Sequence, residues 1–228
     1  MEGKVTYFYG EVEAIDELEL ARIRSEAERG YSEAQYALGL VLARRDGVKH
    51  GDWAEAVKWY RLAAEQGYAA AQHEMGVFCA MGSGVAQDPQ QAVRWYRKAA
   101  EQGYSMAQFE LGHCYACGFG IEKDDVESFK WCRKAAEQGN VMAQMQLGAQ
   151  YANGIGVEQD DVAAFEWMRK AAEQGDASAQ YNLAKMYAQG RGIPKDEREC
   201  DRLLALSANQ GFRPAMEVLG YLNNQSSE

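Results

Sequence analysis

The chain has 228 residues, of which 36 are Ala, 23 Gly and only 3 Pro. Apolar residues at 47% and charged residues at 25% are ordinary for a folded domain and exclude a disordered or fibrous chain. A net charge of −10 argues against nucleic acid or an anionic membrane surface as partner, because phosphate binding needs clustered Lys and Arg, and it favours a basic partner instead.

High Ala with low Pro suits helices, whereas Gly opposes helix interiors, so the glycines are expected to punctuate helices at regular places. The spacing bears this pattern. The tetrad Ala-Glu-Gln-Gly ends at Gly67, Gly103, Gly139 and Gly175, with variants ending at Gly30 and Gly211, so the steps are 37, 36, 36, 36 and 36 residues. Trp59, Trp95, Trp131 and Trp167 repeat at 36, as do Asp52, Asp88, Asp124, Asp160 and Asp196. Three registers sharing one period identify a repeat protein.

In chain order, the predicted elements are a helix over 12–29, then helix pairs over 31–44 and 52–66, 68–81 and 88–102, 104–117 and 124–138, 140–153 and 160–174, and 176–189 and 196–210, with a last helix over 212–223. The segment from Tyr104 to Gly139 shows why. Ala107, Leu111, Cys114 and Tyr115 recur at three and four residues, as on an amphipathic helix. Gly118-Phe119-Gly120 then stops it, since Gly tolerates the positive φ of a C-cap. Asp124 opens a second helix as N-cap, and Glu127 completes the capping-box spacing, as do Asp52/Glu55, Asp88/Gln91 and Asp196/Glu199. Phe129, Trp131, Cys132, Ala135 and Ala136 supply its buried stripe. One such hairpin cannot bury its apolar face alone, but stacked copies share a core, which makes an α-solenoid. Ala71, Ala107, Ala143 and Ala179, with Gly76, Gly112 and Gly148, are the small residues expected where helices approach closely, and the Trp series is expected to fill the wider gaps.

The organisation is therefore an N-terminal segment and capping helix over 1–30, repeats over 31–67, 68–103, 104–139, 140–175 and 176–211, and a capping helix with a fraying tail over 212–228. The longest apolar run, Tyr36 to Ala43, is eight residues, well short of the roughly 18 needed to cross a membrane. The opening residues lack the layout of a signal peptide, so the expected location is cytoplasmic, or periplasmic if a leader has been removed. Five cysteines at irregular spacing fit free buried thiols better than a disulfide frame.

The pattern Ala-Gln-x-x-Leu-Gly-x-x-Tyr, Gly-x-Gly-Val/Ile, Asp, Trp and Lys-Ala-Ala-Glu-Gln-Gly resembles the Sel1-like repeat, a relative of the tetratricopeptide repeat. Its best copies hold Ala71-Gln72, Met75-Gly76 and Trp95; Ala107-Gln108, Leu111-Gly112, Tyr115 and Trp131; Ala143-Gln144, Leu147-Gly148, Tyr151 and Trp167; and Ala179-Gln180, Leu183-Ala184 and Tyr187. The resemblance covers about Ser25 to Tyr221 and implies a right-handed all-α solenoid of five to six repeats. The ends depart from it: the turn Arg44 to Gly51 lacks Gly-x-Gly, and Leu203 replaces the repeated Trp.

No catalytic, metal or cofactor site is expected. The Gly-x-Gly turns lack the strand and third Gly of a dinucleotide fingerprint and the Gly-Lys-Ser/Thr of a P-loop. His113-Cys114-x-x-Cys117 lacks the residue order for haem attachment and a second ligand pair for zinc. Its residues fall at variable positions of the period, Cys114 aligning with Phe78 and Gln150. His50, His73 and His113 form no nucleophile–base constellation.

The positions that break the repeat are the candidates for function. Three series on the first helices vary, two at adjacent positions and the third four and three residues beyond them, hence on one helix face. They read Tyr36, His73, Phe109, Met145, Tyr181; Ala37, Glu74, Glu110, Gln146, Asn182; and Leu40, Val77, His113, Ala149, Lys185. Solenoids of this kind line their concave side with first helices, so the residues expected to bind are Tyr36, Leu40, His73, Glu74, Val77, Phe109, Glu110, His113, Met145, Gln146, Tyr181, Asn182 and Lys185. The alternative is that these side chains merely complete the core between adjacent first helices. Aromatic and Met side chains interleaved with carboxylates suit a groove for a peptide. The function read from this is a non-enzymatic scaffold or adaptor gripping a protein or peptide segment. The resemblance also implies a second reading, an immunity protein neutralising a toxic bacterial effector such as a lipase, and a third, a β-lactam-directed enzyme.

Overall fold

The computed structural model describes residues 17–44 and 53–220. Among these residues the chain forms twelve helices and no strand: α1 (Glu17–Glu28), α2 (Ser32–Arg44), α3 (Trp53–Glu65), α4 (Ala69–Met81), α5 (Pro89–Glu101), α6 (Ser105–Cys117), α7 (Asp125–Glu137), α8 (Val141–Asn153), α9 (Asp161–Glu173), α10 (Ala177–Gln189), α11 (Glu197–Asn209) and α12 (Arg213–Val218). The expected elements from α2 to α11 are found to within one residue at either end. Helix α12 is shorter than expected, ending at Val218 before Gly220 turns the chain with φ +73°. The expected starts at residues 12–16, the first inter-helix turn with Asp52, and the tail from 221 lie outside the described residues.

Two compact units divide the chain, Met1–Ala107 and Gln108–Glu228, the boundary falling inside α6. In the first, α1 to α5 each pack on the next; in the second, α7 to α12 do the same. Each repeat is a hairpin of a first helix (α2, α4, α6, α8, α10) and a second helix (α3, α5, α7, α9, α11), stacked in solenoid fashion within its unit.

The Gly-x-Gly turn has two separate physical causes. Its first glycine is the left-handed C-cap, with φ +73° at Gly82 and +65° at Gly154. Its second has no room for a side chain: a Cβ on Gly156 would lie 1.9 Å from the Asp125 carbonyl oxygen, and one on Gly192 2.0 Å from that of Asp161. The turn of one repeat thus sits on the first residue of the preceding repeat's second helix. The next Asp caps as expected, Asp124 Oδ1 accepting from Val126 and Glu127 N–H at 3.0 Å. The reciprocal half of the capping box is not used, however. The Asp124 N–H donates to the Tyr115 carbonyl at 3.0 Å, across the hairpin, and Glu127 instead pairs with Lys130 at 2.6 Å.

Packing follows the period. Ala71, Ala107, Ala143 and Ala179 are fully buried. A Cβ on Gly39 would meet the Tyr60 ring at 2.8 Å, on Gly76 the Tyr96 ring at 2.4 Å, and on Gly112 the Cys132 Sγ at 2.6 Å. In the fifth repeat Ala184 takes the position, and Leu204, buried in the same core, stands at the register of Tyr96 and Cys132. Of the Trp series, Trp95 is buried, whereas Trp59, Trp131 and Trp167 are only half-buried. Lysines cover three of the rings, Lys98 over Trp95 at 4.4 Å, Lys134 over Trp131 at 4.0 Å and Lys170 over Trp167 at 3.9 Å.

Candidate functional site

In the first unit the variable aromatic positions are packed. Tyr36 is 5% exposed, its ring 5.7 Å from Tyr60 and 5.1 Å from Tyr68. His73 is 6% exposed, between Tyr96 at 5.9 Å and Tyr104 at 5.5 Å. Its Nδ1 lies 3.3 Å from the Glu74 carboxylate, and its Nε2 is buried without a hydrogen-bond partner. For these two residues the core alternative describes the contacts: the opening Tyr of the following repeat closes over each ring. Leu40, Glu74 and Val77 are half-buried.

In the second unit the same positions open into a cleft of about 670 Å³ between α6, α8 and α10. Six of the residues expected to bind line it: Phe109, His113, Met145, Gln146, Asn182 and Lys185. Glu110 and Tyr181 are half-buried and do not line it; the Tyr181 ring packs 5.5 Å from Phe212, with Lys185 Nζ 5.6 Å from its centroid.

The cleft follows from side-chain length at one register. Helix α8 contributes Met142, Met145, Gln146, Ala149, Ala152 and Asn153, a stripe at three- and four-residue spacing. Ala149 is exposed, and the corresponding positions on α6 and α10 are the long side chains His113 and Lys185. A short residue between two long ones leaves a depression. Its apolar lining is rich in methionine, with Met168 of α9 and Met186 of α10 joining Met142 and Met145. Gln146, Asn153, Asn182 and Gln189 supply amides, and Lys185, Arg191 and His113 are the basic residues; no lining residue is a carboxylate. A volume in this range, apolar with a few polar groups, is typical of ligand sites.

Sequence reasoning missed Met142, Met168, Met186, Gln189 and Arg191. For Arg191 a signal existed, because the middle residue of the Gly-x-Gly turn varies as Ser83, Phe119, Ile155 and Arg191. Arg191 Nε donates to Asp161 Oδ1 at 2.7 Å, and its terminal nitrogen donates to the Ala152 carbonyl, which draws the side chain along the cleft edge.

The cysteines form a separate group. Burial pushes the Cys114 thiol up to about 12 and that of Cys132 up to about 11, and it raises Cys79 as well. Cys117 is exposed and donates to the His113 carbonyl at 3.1 Å; all five are free. Among the described residues no group of three or more His, Cys, Asp or Glu could hold a metal ion, and no helix is long and apolar enough to cross a membrane.

Comparison with curated proteins returned no match. Solved structures do match. The chain is 41% identical to c5321, a protective antigen of uropathogenic Escherichia coli strains displaying an SLR fold, with a TM-score of 0.82 over 91% of this chain and 44% of that one. It is 35% identical to a Sel1 repeat protein from Oxalobacter formigenes, with a TM-score of 0.80 over 90% of this chain and 59% of that one. The chain therefore spans less than two thirds of the length of either relative. A more distant match is the immunity protein Pa5087 from Pseudomonas aeruginosa, 25% identical with a TM-score of 0.56, covering 81% of this chain and 67% of that one. The family model for the Sel1 repeat matches residues 32–68, 69–104, 105–140, 141–176 and 177–212, one hairpin each, and the chain thus belongs to the Sel1 repeat family.

Proposed function

We propose that this Sel1-repeat chain is a non-enzymatic interaction scaffold that holds a partner segment in the cleft between α6, α8 and α10. The observation carrying this reading is the placement of six non-repeated side chains around one methionine-rich depression, beside repeated residues such as Ala143, Leu147 and Ala179 that are fully buried in packing. Methionine is flexible and polarisable, so such a lining adapts to an inserted apolar side chain, while the surrounding amides fix its orientation. The test fills the depression. Ala149→Trp, at an exposed position, should leave folding intact by circular dichroism and abolish capture of partner proteins from native cells; an unchanged set of captured proteins would overturn the reading.

A second reading is an immunity protein that neutralises a secreted effector. The observation favouring it is the likeness to Pa5087, together with a similar match, at 25% identity and a TM-score of 0.55, to immunity protein PA5088 of the same organism. Co-expression with an effector encoded beside this chain should protect the host cell and yield a co-purifying complex. Failure of both against every neighbouring toxin would remove this reading and leave the scaffold reading standing.

A further inference from the structure

We infer that the segment held in this cleft is acidic, an apolar anchor side chain flanked by carboxylates, and not the basic segment that the net charge of the chain favours. The inference rests on the cleft being the partner site. The chain carries −10, yet the cleft is lined by Lys185, Arg191 and His113 with no Asp or Glu. Lys185 is exposed, lies over the Tyr181 ring at 5.6 Å, and makes no ion pair among the described residues, so its charge is available to a ligand. Arg191 is partly neutralised by Asp161 at 2.7 Å, but that pair and the Ala152 carbonyl also hold its guanidinium in place. Two of its five N–H donors are so used.

The two charge arguments act at different ranges. Net charge governs distant encounter and is screened beyond a Debye length of about 10 Å at 0.1 M salt. The bound state is decided by groups in contact, and there a basic segment would set its own cations against Lys185 and Arg191, a like-charge arrangement that costs affinity. A carboxylate would instead accept from Lys185, from Arg191, or from the amides of Gln146 and Asn182.

The test pans a phage-displayed library of random 12-residue peptides on the full chain and compares each selected peptide, fluorescently labelled, on the Ala149→Trp and Lys185→Glu variants. Peptides pairing an apolar residue with Asp or Glu are expected. Their binding should be lost on Ala149→Trp, fall about tenfold on Lys185→Glu, and weaken with added salt. Basic peptides that are lost on Ala149→Trp but bind Lys185→Glu equally or more tightly would overturn the acidic assignment and leave the cleft reading intact. Peptides indifferent to Ala149→Trp, or no selected peptide at all, would overturn the cleft reading itself. Lys185 is solvent-exposed, and matching circular dichroism of both variants separates these outcomes from misfolding.

Discussion

Gln174 Nε2 donates to Gln144 Oε1 at 2.8 Å, joining two side chains thirty residues apart. Gln144 is buried, and its own amide donates to the Ala136 carbonyl at 3.2 Å, so one side chain ties the end of α7, the start of α8 and the end of α9. The same pairing recurs as Gln66 to Gln35, Gln102 to Gln72, Gln138 to Gln108 and Gln210 to Gln180, at 2.7 to 2.9 Å. It gives a physical reason for both the Ala-Gln and the Glu-Gln-Gly signatures, because the buried amides of Gln35, Gln72 and Gln144 each answer a carbonyl at a helix end, of Ala27, Ala64 and Ala136, while accepting from the later Gln.

Replacing the inner member of a pair should cost more than replacing the outer one. Gln144→Ala strips two hydrogen bonds from a buried place, the one it donates to the Ala136 carbonyl, which keeps the Gly139 N–H at 3.0 Å, and the one it accepts from Gln174, and should lower unfolding free energy by about 1–3 kcal/mol, whereas the exposed Gln174→Ala lets water substitute and should cost about 1 kcal/mol or less. Urea unfolding of the two variants checks the order, and an equal or inverted pair of losses contradicts this role.

Close approach at the helical glycines predicts a specific rescue. Gly76→Ala drives a methyl into the Tyr96 ring, 2.4 Å away, and should cost about 1–3 kcal/mol. In a Tyr96→Leu background the loss should shrink by at least about 1 kcal/mol, since the fifth repeat combines Ala184 with Leu204 at the same two registers. Thermal unfolding of the four-member cycle measures the coupling.

The half-used capping box separates two neighbouring carboxylates. Asp124→Ala removes acceptors for two N–H groups and should cost about 1 kcal/mol. Glu127→Ala should cost less than about 0.5 kcal/mol, because only its exposed pair with Lys130 is lost. A larger loss for Glu127→Ala would mean that the reciprocal cap forms in solution.

The buried thiols predict an alkaline dependence. With folded values raised to about 12 at Cys114 and about 11 at Cys132, the unfolded chain ionises first as pH rises, so the folded state binds more protons and stability falls with pH. The contribution is complete below the ordinary thiol range and is lost from about pH 9 upward through these raised values, at no more than about 1.4 kcal/mol per pH unit per thiol. Urea midpoints from pH 8 to 10.5 should decline less steeply in Cys132→Ala than in the parent chain. In the native state Cys117 should react with a maleimide long before Cys79, Cys114 or Cys132, as its exposure requires.

The repeat and its helices were legible in the sequence because the forces that set them are local. A left-handed glycine such as Gly154, or an Asp cap such as Asp160 answering the N–H groups of Val162 and Ala163, acts within four residues of its own position, and period and register follow by counting. The variable face was legible too, as the residues that counting did not explain. Which part of that face is surface was decided only in three dimensions. Tyr36 and His73 are covered by Tyr68 and Tyr104, the opening residues of the next repeats, whereas Ala149 opens a cleft only because His113 and Lys185, 36 residues to either side, project beyond it. The charge of the cleft was likewise invisible to a net count of −10, since Arg191 reaches it from a turn and is held there by the Ala152 carbonyl and the Asp161 carboxylate. Burial and cavity shape depend on side chains distant in sequence meeting at one place, and only the tertiary structure brings them together.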